Sequence, residues 1–255
     1  MGPALILLSL LAGSTGSDAQ NLSSDISDII STVNVNLSPI LSLYDDIRKY
    51  RPENNVGCVN RGCLWPKSGD VVRVPFFIST AFNQDEYQVI RSALLSFQRN
   101  TCIHFQPQTT ELSYLYFFSG SGCWSYLGNI NQPQPISLNK GGCVTVGIVQ
   151  HEILHALGFH HEQNRLDRDT YVHILTNNTL PENERLFKKV ATNNLGTPYD
   201  YNSIMHYSKY KFSKNRRPTI LAKREPFVFG KAKTMSVTDI IRVNRLYKCC
   251  EKYKC

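Results

Sequence analysis

The stretch VQHEILHALGFHHEQNRLDRD, residues Val149 to Asp169, packs four of the chain's seven histidines into eleven residues, with glutamates at 152 and 162. His151 and His155 are four apart, so on a helix their imidazoles stack on one face and can reach a single ion. Between them, Glu152 carries a carboxylate that can accept a proton from water held in an open position of that ion, which makes it a base and not a ligand. Gly158 follows His155 by three residues, and glycine leaves a helix cheaply through a left-handed conformation. The chain then turns back and delivers His161 as a third nitrogen. Three neutral nitrogens with one position open are the donor set of a catalytic zinc site.

The competing reading is a set of scattered surface imidazoles. HExxH alone arises often by chance, but requiring Gly158 and His161 at fixed offsets lowers that chance to about one in 100,000 for this length. The metal reading therefore stands. His160 reads as pointing elsewhere, and His104 and His173 sit in strand-like alternations, where a structural histidine is the simpler account.

Around this centre the residues sort into elements. Asn83-Gln-Asp-Glu86 opens a helix with capping residues, and Val89, Ile90, Ala93, Leu94 and Phe97 recur at helical spacing. Val71 to Phe77, Cys102 to Phe105 and Tyr114 to Phe118 read as strands. The histidine-bearing helix runs from about Thr145 to Leu157.

The run from His151 to Asp169, together with SIMHY at Ser203 to Tyr207, resembles the astacin family of metzincin zinc endopeptidases. The likeness extends from about Cys58 to Cys250. It implies an α+β fold, a two-lobed metzincin zinc protease. A mixed twisted sheet with two long helices would form the upper lobe, an irregular lower lobe would follow Gly158, and one Zn2+ per chain would lie in the cleft between them. It also implies that His151, His155 and His161 bind the metal and that Met205 forms an apolar floor beneath them. Glu152 is then the general base. Tyr207 is an additional ligand that swings away and donates its hydroxyl to the oxyanion. Glu162 lies near the new amino terminus formed on activation.

The resemblance extends to latency. Astacins are made with an aspartate of a Gly-Asp pair in the metal's open position, and the match here is Asp45-Asp46, with Asp46 the candidate ligand. Asp45 stands where the glycine is usual, so Asp45 remains the alternative.

Eight cysteines in a secreted chain argue for disulfides. The family pattern implies Cys123 with Cys143 and Cys102 with Cys249 or Cys250, Cys249 preferred, which leaves Cys250 with Cys255. Cys58 with Cys63 resembles the added bridge of fish hatching-enzyme astacins.

The apolar run Ala4 to Ala12, followed by small residues, reads as a secretory signal peptide, residues 1–19, too short to span a bilayer. Residues 20–54 read as a propeptide cut near Arg51 to Asn55, and 55–255 as the catalytic domain, without appended modules. Removing residues 1–54 takes away three basic and six acidic residues and raises the formal charge from +8 to +11. A basic secreted protein suits acidic partners, such as a matrix or egg-envelope glycoprotein, better than nucleic acid. The expected partners are an extended polypeptide, acidic or from a matrix glycoprotein, pairing with the edge Cys123 to Gly128, and an activating protease. No nucleic acid, membrane or second subunit is expected. Leukocyte, tissue or digestive proteolysis is the alternative role. A noncatalytic binding protein on the same scaffold is the rival class, and the intact Glu152 speaks against it.

Overall fold

Val72, Val74 and Ile78 turn inward from β4 (Val71–Ile78) and make it the centre of a mixed sheet. The computed structural model describes residues 25–35, 37, 42–48, 62–224, 228–253 and 255; the leader 1–19, the expected activation segment and Cys58 lie outside them. β4 pairs in parallel with β5 (Ile103–Pro107) and β6 (Tyr114–Phe118), and antiparallel with β3 (Lys67–Ser68). β6 continues in parallel to β8 (Pro133–Leu138), and β7 (Cys123–Tyr126) runs antiparallel to β8.

Two helices cover the sheet. α2 (Gln84–Asn100) starts at a reciprocal capping box, in which Asn83 Oδ1 accepts from the Glu86 amide at 2.9 Å and Glu86 Oε2 accepts from the Asn83 amide at 2.8 Å. Its Ile90, Ala93, Leu94 and Phe97 are buried, four of the five apolar positions expected to face the core. α3 (Val146–Ala156) is buried from Gly147 to Ala156, and its Gln150 donates to Ser96 Oγ of α2 at 2.8 Å.

After Gly158 regular structure is sparse: short 3₁₀ turns and a two-stranded ribbon of β9 (Val172–Ile174) and β10 (Ile220–Ala222). This part has its own core of Val172, Phe187, Tyr199, Tyr207, Ile220 and Phe229. The expected α+β architecture is therefore observed, with two helices not anticipated from sequence. α4 (Val237–Leu246) begins at a Ser236–Asp239 capping box and returns Val243 and Leu246 to the main core. Asp239 also accepts from Ser203 Oγ at 2.6 Å and from the Ile204 amide at 3.0 Å, and so holds the SIMHY loop. α1 (Ile26–Asn34), within the expected propeptide, carries Ile26, Ile29, Ile30 and Val33 on one face packed on the same core.

Cys102 pairs with Cys249, Cys123 with Cys143 and Cys250 with Cys255, as preferred above. Cys63 is also bridged; its expected partner, Cys58, lies outside the described residues. The first bridge ties β5's entry to the end of α4 across 147 residues.

Replacing Asn83 by Ala removes the acceptor that opens α2 and is expected to lower stability by about 1 kcal/mol in urea unfolding with disulfides intact. An unchanged midpoint would deny the cap that role.

Candidate metal centre

α3 ends so that all of its last carbonyls are used. The Gly158 amide donates to the His155 carbonyl at 2.9 Å and the Phe159 amide to the Leu154 carbonyl at 3.0 Å, a Schellman closure, with Gly158 at φ 104. The Gly128 amide also reaches the His155 carbonyl, Trp65 Nε1 donates to that of Ala156 and the Tyr247 hydroxyl to that of Leu157. This fixes both the helix end and the return of the chain to His161.

The three imidazoles converge. His151 Nδ1 lies 2.9 Å from the Ile204 carbonyl and His155 Nδ1 2.7 Å from that of Phe159. A carbonyl only accepts, so both Nδ1 atoms carry the proton and both Nε2 atoms present lone pairs. Those Nε2 atoms are 3.1 Å apart. Into the same space comes the Asp46 carboxylate, 3.0 Å from His151 Nε2, 3.3 Å from His155 Nε2 and 3.1 Å from His161 Nε2. All four residues are buried and their ligand atoms lie within 4.8 Å of one another.

For His151 and His155 these contacts set acceptor against acceptor, an arrangement that a cation between them relieves. Burial holds His155 and His161 below the ordinary imidazole range, His161 down to about 3, so they are neutral at physiological pH. Burial would raise the Asp46 carboxyl, and the three imidazoles facing it draw it well below its usual range. Ligand atoms about 2.0–2.1 Å from a tetrahedral zinc stand roughly 3.3 Å apart, close to the 3.0–3.3 Å measured here. The residues fit a zinc ion.

Glu152 is fully buried, and neither of its carboxylate oxygens has a hydrogen-bond partner among the described residues. Burial, then the charges of Asp46 and Asp45, push its carboxyl well above the usual range. Tyr207 packs its ring 4.6 Å from that of His161, centroid to centroid. Met205 belongs to the main core and Tyr207 to the second, so SIMHY straddles the two. Glu162 is clasped by Arg165 Nη1 at 3.1 Å and Arg242 Nη2 at 2.9 Å, beside a cavity of about 260 Å³ that His161 also lines. His160 is outside the metal cluster, and His104 and His173 lie on β5 and β9.

Of Asp45 and Asp46, it is Asp46 whose carboxylate lies at the imidazoles. Asp45 takes φ 45, the left-handed region that glycine enters freely and Asp tolerates, and points instead to Lys211 Nζ at 2.8 Å. One expectation needs correction: β7 is not an open edge in this form. β2 (Ile47–Arg48) pairs with it in parallel, Ile47 opposite Ser125 and Arg48 opposite Tyr126, and β1 (Ser42–Tyr44) lies outside β2. The edge is filled because Asp46 is held at the imidazoles and its carbonyl accepts from the Ser125 amide at 3.0 Å. Upstream, Asn34 grips the Cys123 amide and carbonyl at 2.8 and 2.9 Å, and Arg48 lies 5.0 Å over the Trp124 ring.

Sequence reasoning missed Lys211, Asn34, Arg48 and Arg242. Only α4's Ser-x-x-Asp capping pattern offered a signal near one of them; the others depend on contacts across 76 to 184 residues that no local pattern reports.

A model of the family described as Astacin (Peptidase family M12A) matches residues 60–248. Low choriolytic enzyme of Oryzias latipes is 40% identical over 261 residues, 96% of this chain and 96% of that one. Embryonic protein UVS.2 of Xenopus laevis is 46% identical over 188 residues, 73% of this chain but 37% of that protein. The solved structure of High choriolytic enzyme 1, a hatching enzyme zinc-protease from Oryzias latipes, matches with a TM-score of 0.73 at 42% identity, over 77% of this chain and 100% of that one. With the family model spanning most of the sequence, and the imidazole cluster lying within it, the chain belongs to the astacin family of zinc endopeptidases.

Proposed function

We propose that this chain is the latent precursor of a secreted zinc endopeptidase of hatching-enzyme type, with residues 1–19 as leader, 20–54 as propeptide and 55–255 as the catalytic domain. The observation that carries the latency is the Asp46 carboxylate seated on three imidazole nitrogens while β2 fills the β7 edge. Egg-envelope protein as substrate is supported by relatives named choriolytic and hatching enzymes, and by the charge of +11 left after residues 1–54 depart.

His151, His155 and His161 would hold the zinc, with Asp46 in the remaining position of the precursor. Zinc bound there supplies Lewis acidity to a substrate carbonyl and eases the ionisation of water. The chain's own residues do the rest. Asp46 leaves with its segment and exposes the β7 edge, where an extended peptide pairs by backbone hydrogen bonds. Glu152 takes the proton of the attacking water and returns it to the leaving nitrogen. Tyr207, beside His161, turns its hydroxyl to the developing oxyanion and would be a further ligand to a bound zinc when no substrate is present. Met205 closes the apolar floor below the imidazoles. A protease cutting near Arg51 to Asn55 would start the process, and the freed amino terminus would approach Glu162. The enzyme acts as a monomer.

Glu152→Ala, processed like the parent, is expected to retain one zinc per chain and to lose roughly 10²–10⁴-fold in kcat/KM on a peptide substrate. Turnover near the parent's would sink the base assignment. Asp46→Ala should make the unprocessed chain cleave peptide at a measurable fraction of the processed rate, and a variant as silent as the parent precursor would refute the latency. Stripping zinc with a chelator should abolish cleavage of egg-envelope protein and zinc should restore it; chelator-insensitive cleavage would overturn the reading.

A further inference from the structure

Asn177-Asn178-Thr179 is an N-x-Ser/Thr sequence, the pattern read by the transferase of N-linked oligosaccharides. Two others, at Asn21 and Asn36, fall within the proposed propeptide, and neither asparagine is among the described residues. A match of this kind is common in sequences, and the surroundings of its three residues separate a usable site from a chance one.

Residues Thr176–Asn178 form a short 3₁₀ turn after β9, closed by the Thr179 amide donating to the Thr176 carbonyl at 2.8 Å. The carboxamide of Asn178 is committed within the fold: its Nδ2 donates to the Pro218 carbonyl at 2.7 Å and its Oδ1 accepts from Asn215 Nδ2 at 2.9 Å. Asn177 is exposed, and its carboxamide has no hydrogen bond among the described residues. A bulky group on Asn177 Nδ2 therefore extends into solvent and breaks no contact of the fold.

Thr179 supplies the second observation. It is 0% exposed and pairs with Ser213 in an antiparallel bridge, yet its hydroxyl has no hydrogen-bond partner among the described residues. A buried hydroxyl without a partner carries a desolvation penalty that no contact offsets, and valine has nearly the same shape without it. Packing gives no reason for a hydroxyl at 179. Recognition of Asn177 gives one, provided that it occurs before Thr179 is packed against Ser213, while the chain is entering the secretory lumen.

We propose that Asn177 is an N-glycosylation site that the processed enzyme retains, and that the Thr179 hydroxyl serves recognition of this site and not the fold. This rests on the secreted reading above. The donor is an oligosaccharide linked to a polyisoprenyl diphosphate. Asn177 Nδ2 bonds to C1 of the first sugar, the bond from C1 to the diphosphate oxygen breaks, the diphosphate leaves with the electron pair, and the amide gives up one proton. The carbohydrate then stands beside the exposed stretch Lys214 to Arg217, whose Lys214 amide donates to the Asn178 carbonyl at 2.9 Å.

The test expresses the full chain with its own leader in a eukaryotic secretory host and maps peptides of the protein recovered from the medium. The peptide containing Asn177 is expected to carry an oligosaccharide, which peptide N-glycosidase releases with conversion of that asparagine to aspartate. Asn177→Gln and Thr179→Val should each abolish the modification, and Thr179→Ser should keep most of it. Both abolishing variants lack carbohydrate, so their urea midpoints compare directly: Thr179→Val should unfold no earlier than Asn177→Gln, because it loses only an unpartnered hydroxyl. Secreted parent with unmodified Asn177, or an oligosaccharide that survives Thr179→Val, would overturn the site. An earlier midpoint for Thr179→Val would overturn the role given to its hydroxyl. A chain held in the cytosol with residues 1–19 still attached refutes the secreted reading, whereas a secreted chain bare at Asn177 refutes the glycosylation site alone.

Discussion

Three imidazole nitrogens and a carboxylate brought together in a buried pocket are the constraint around which this molecule is organised. The Nε2 atoms of His151 and His155 present lone pairs because their Nδ1 protons are committed to backbone carbonyls, and a carboxylate oxygen approaches both. Without a cation such an arrangement repels itself, and desolvation makes the repulsion worse. With one, every contact becomes a bond. The buried α3, the Gly158 turn and the Asp239-anchored SIMHY loop bring those atoms to one point and keep water out of it.

The carbonyls that orient the imidazoles come from different places, Phe159 just beyond α3 and Ile204 in the loop between the two cores. Both residues pack in the main core, so the imidazoles are oriented only when the SIMHY loop has docked beside the end of α3. Met205 and Tyr207, two residues apart, belong to opposite cores, so the SIMHY loop acts as the seam. α4 and the Cys102–Cys249 bridge tie the end of the chain back to the sheet and hold that seam in place.

The amino-terminal segment behaves as an intramolecular occupant of the same cleft. α1 contributes an apolar face, Asn34 mimics a strand partner at Cys123, β2 completes the sheet edge, and Asp45 and Asp46 deliver two carboxylates. An uncovered β7 would expose unpaired backbone groups. Those contacts close the β7 edge in this structure.

The metal chemistry was legible in the sequence because it is local. HExxH on one helix face, a glycine three residues on and a further histidine fix the donors through helical geometry alone, and the Asn83 cap and the strand alternations are equally short-range. The choice of Asp46 over Asp45 was not legible from two adjacent carboxylates; a left-handed turn and the distant Lys211 separate their directions. Nor was the covered β7 edge, since strand pairing depends on which segments meet in space and not on the alternation of one of them. Sequence determined the spacing of the three histidines and Glu152, which is a property of a single helix and its turn. Tertiary structure decided what faces them, because Asp46, Lys211 and Ile204 reach the site across long stretches of chain, and only the packed cores bring such distances down to hydrogen-bond length.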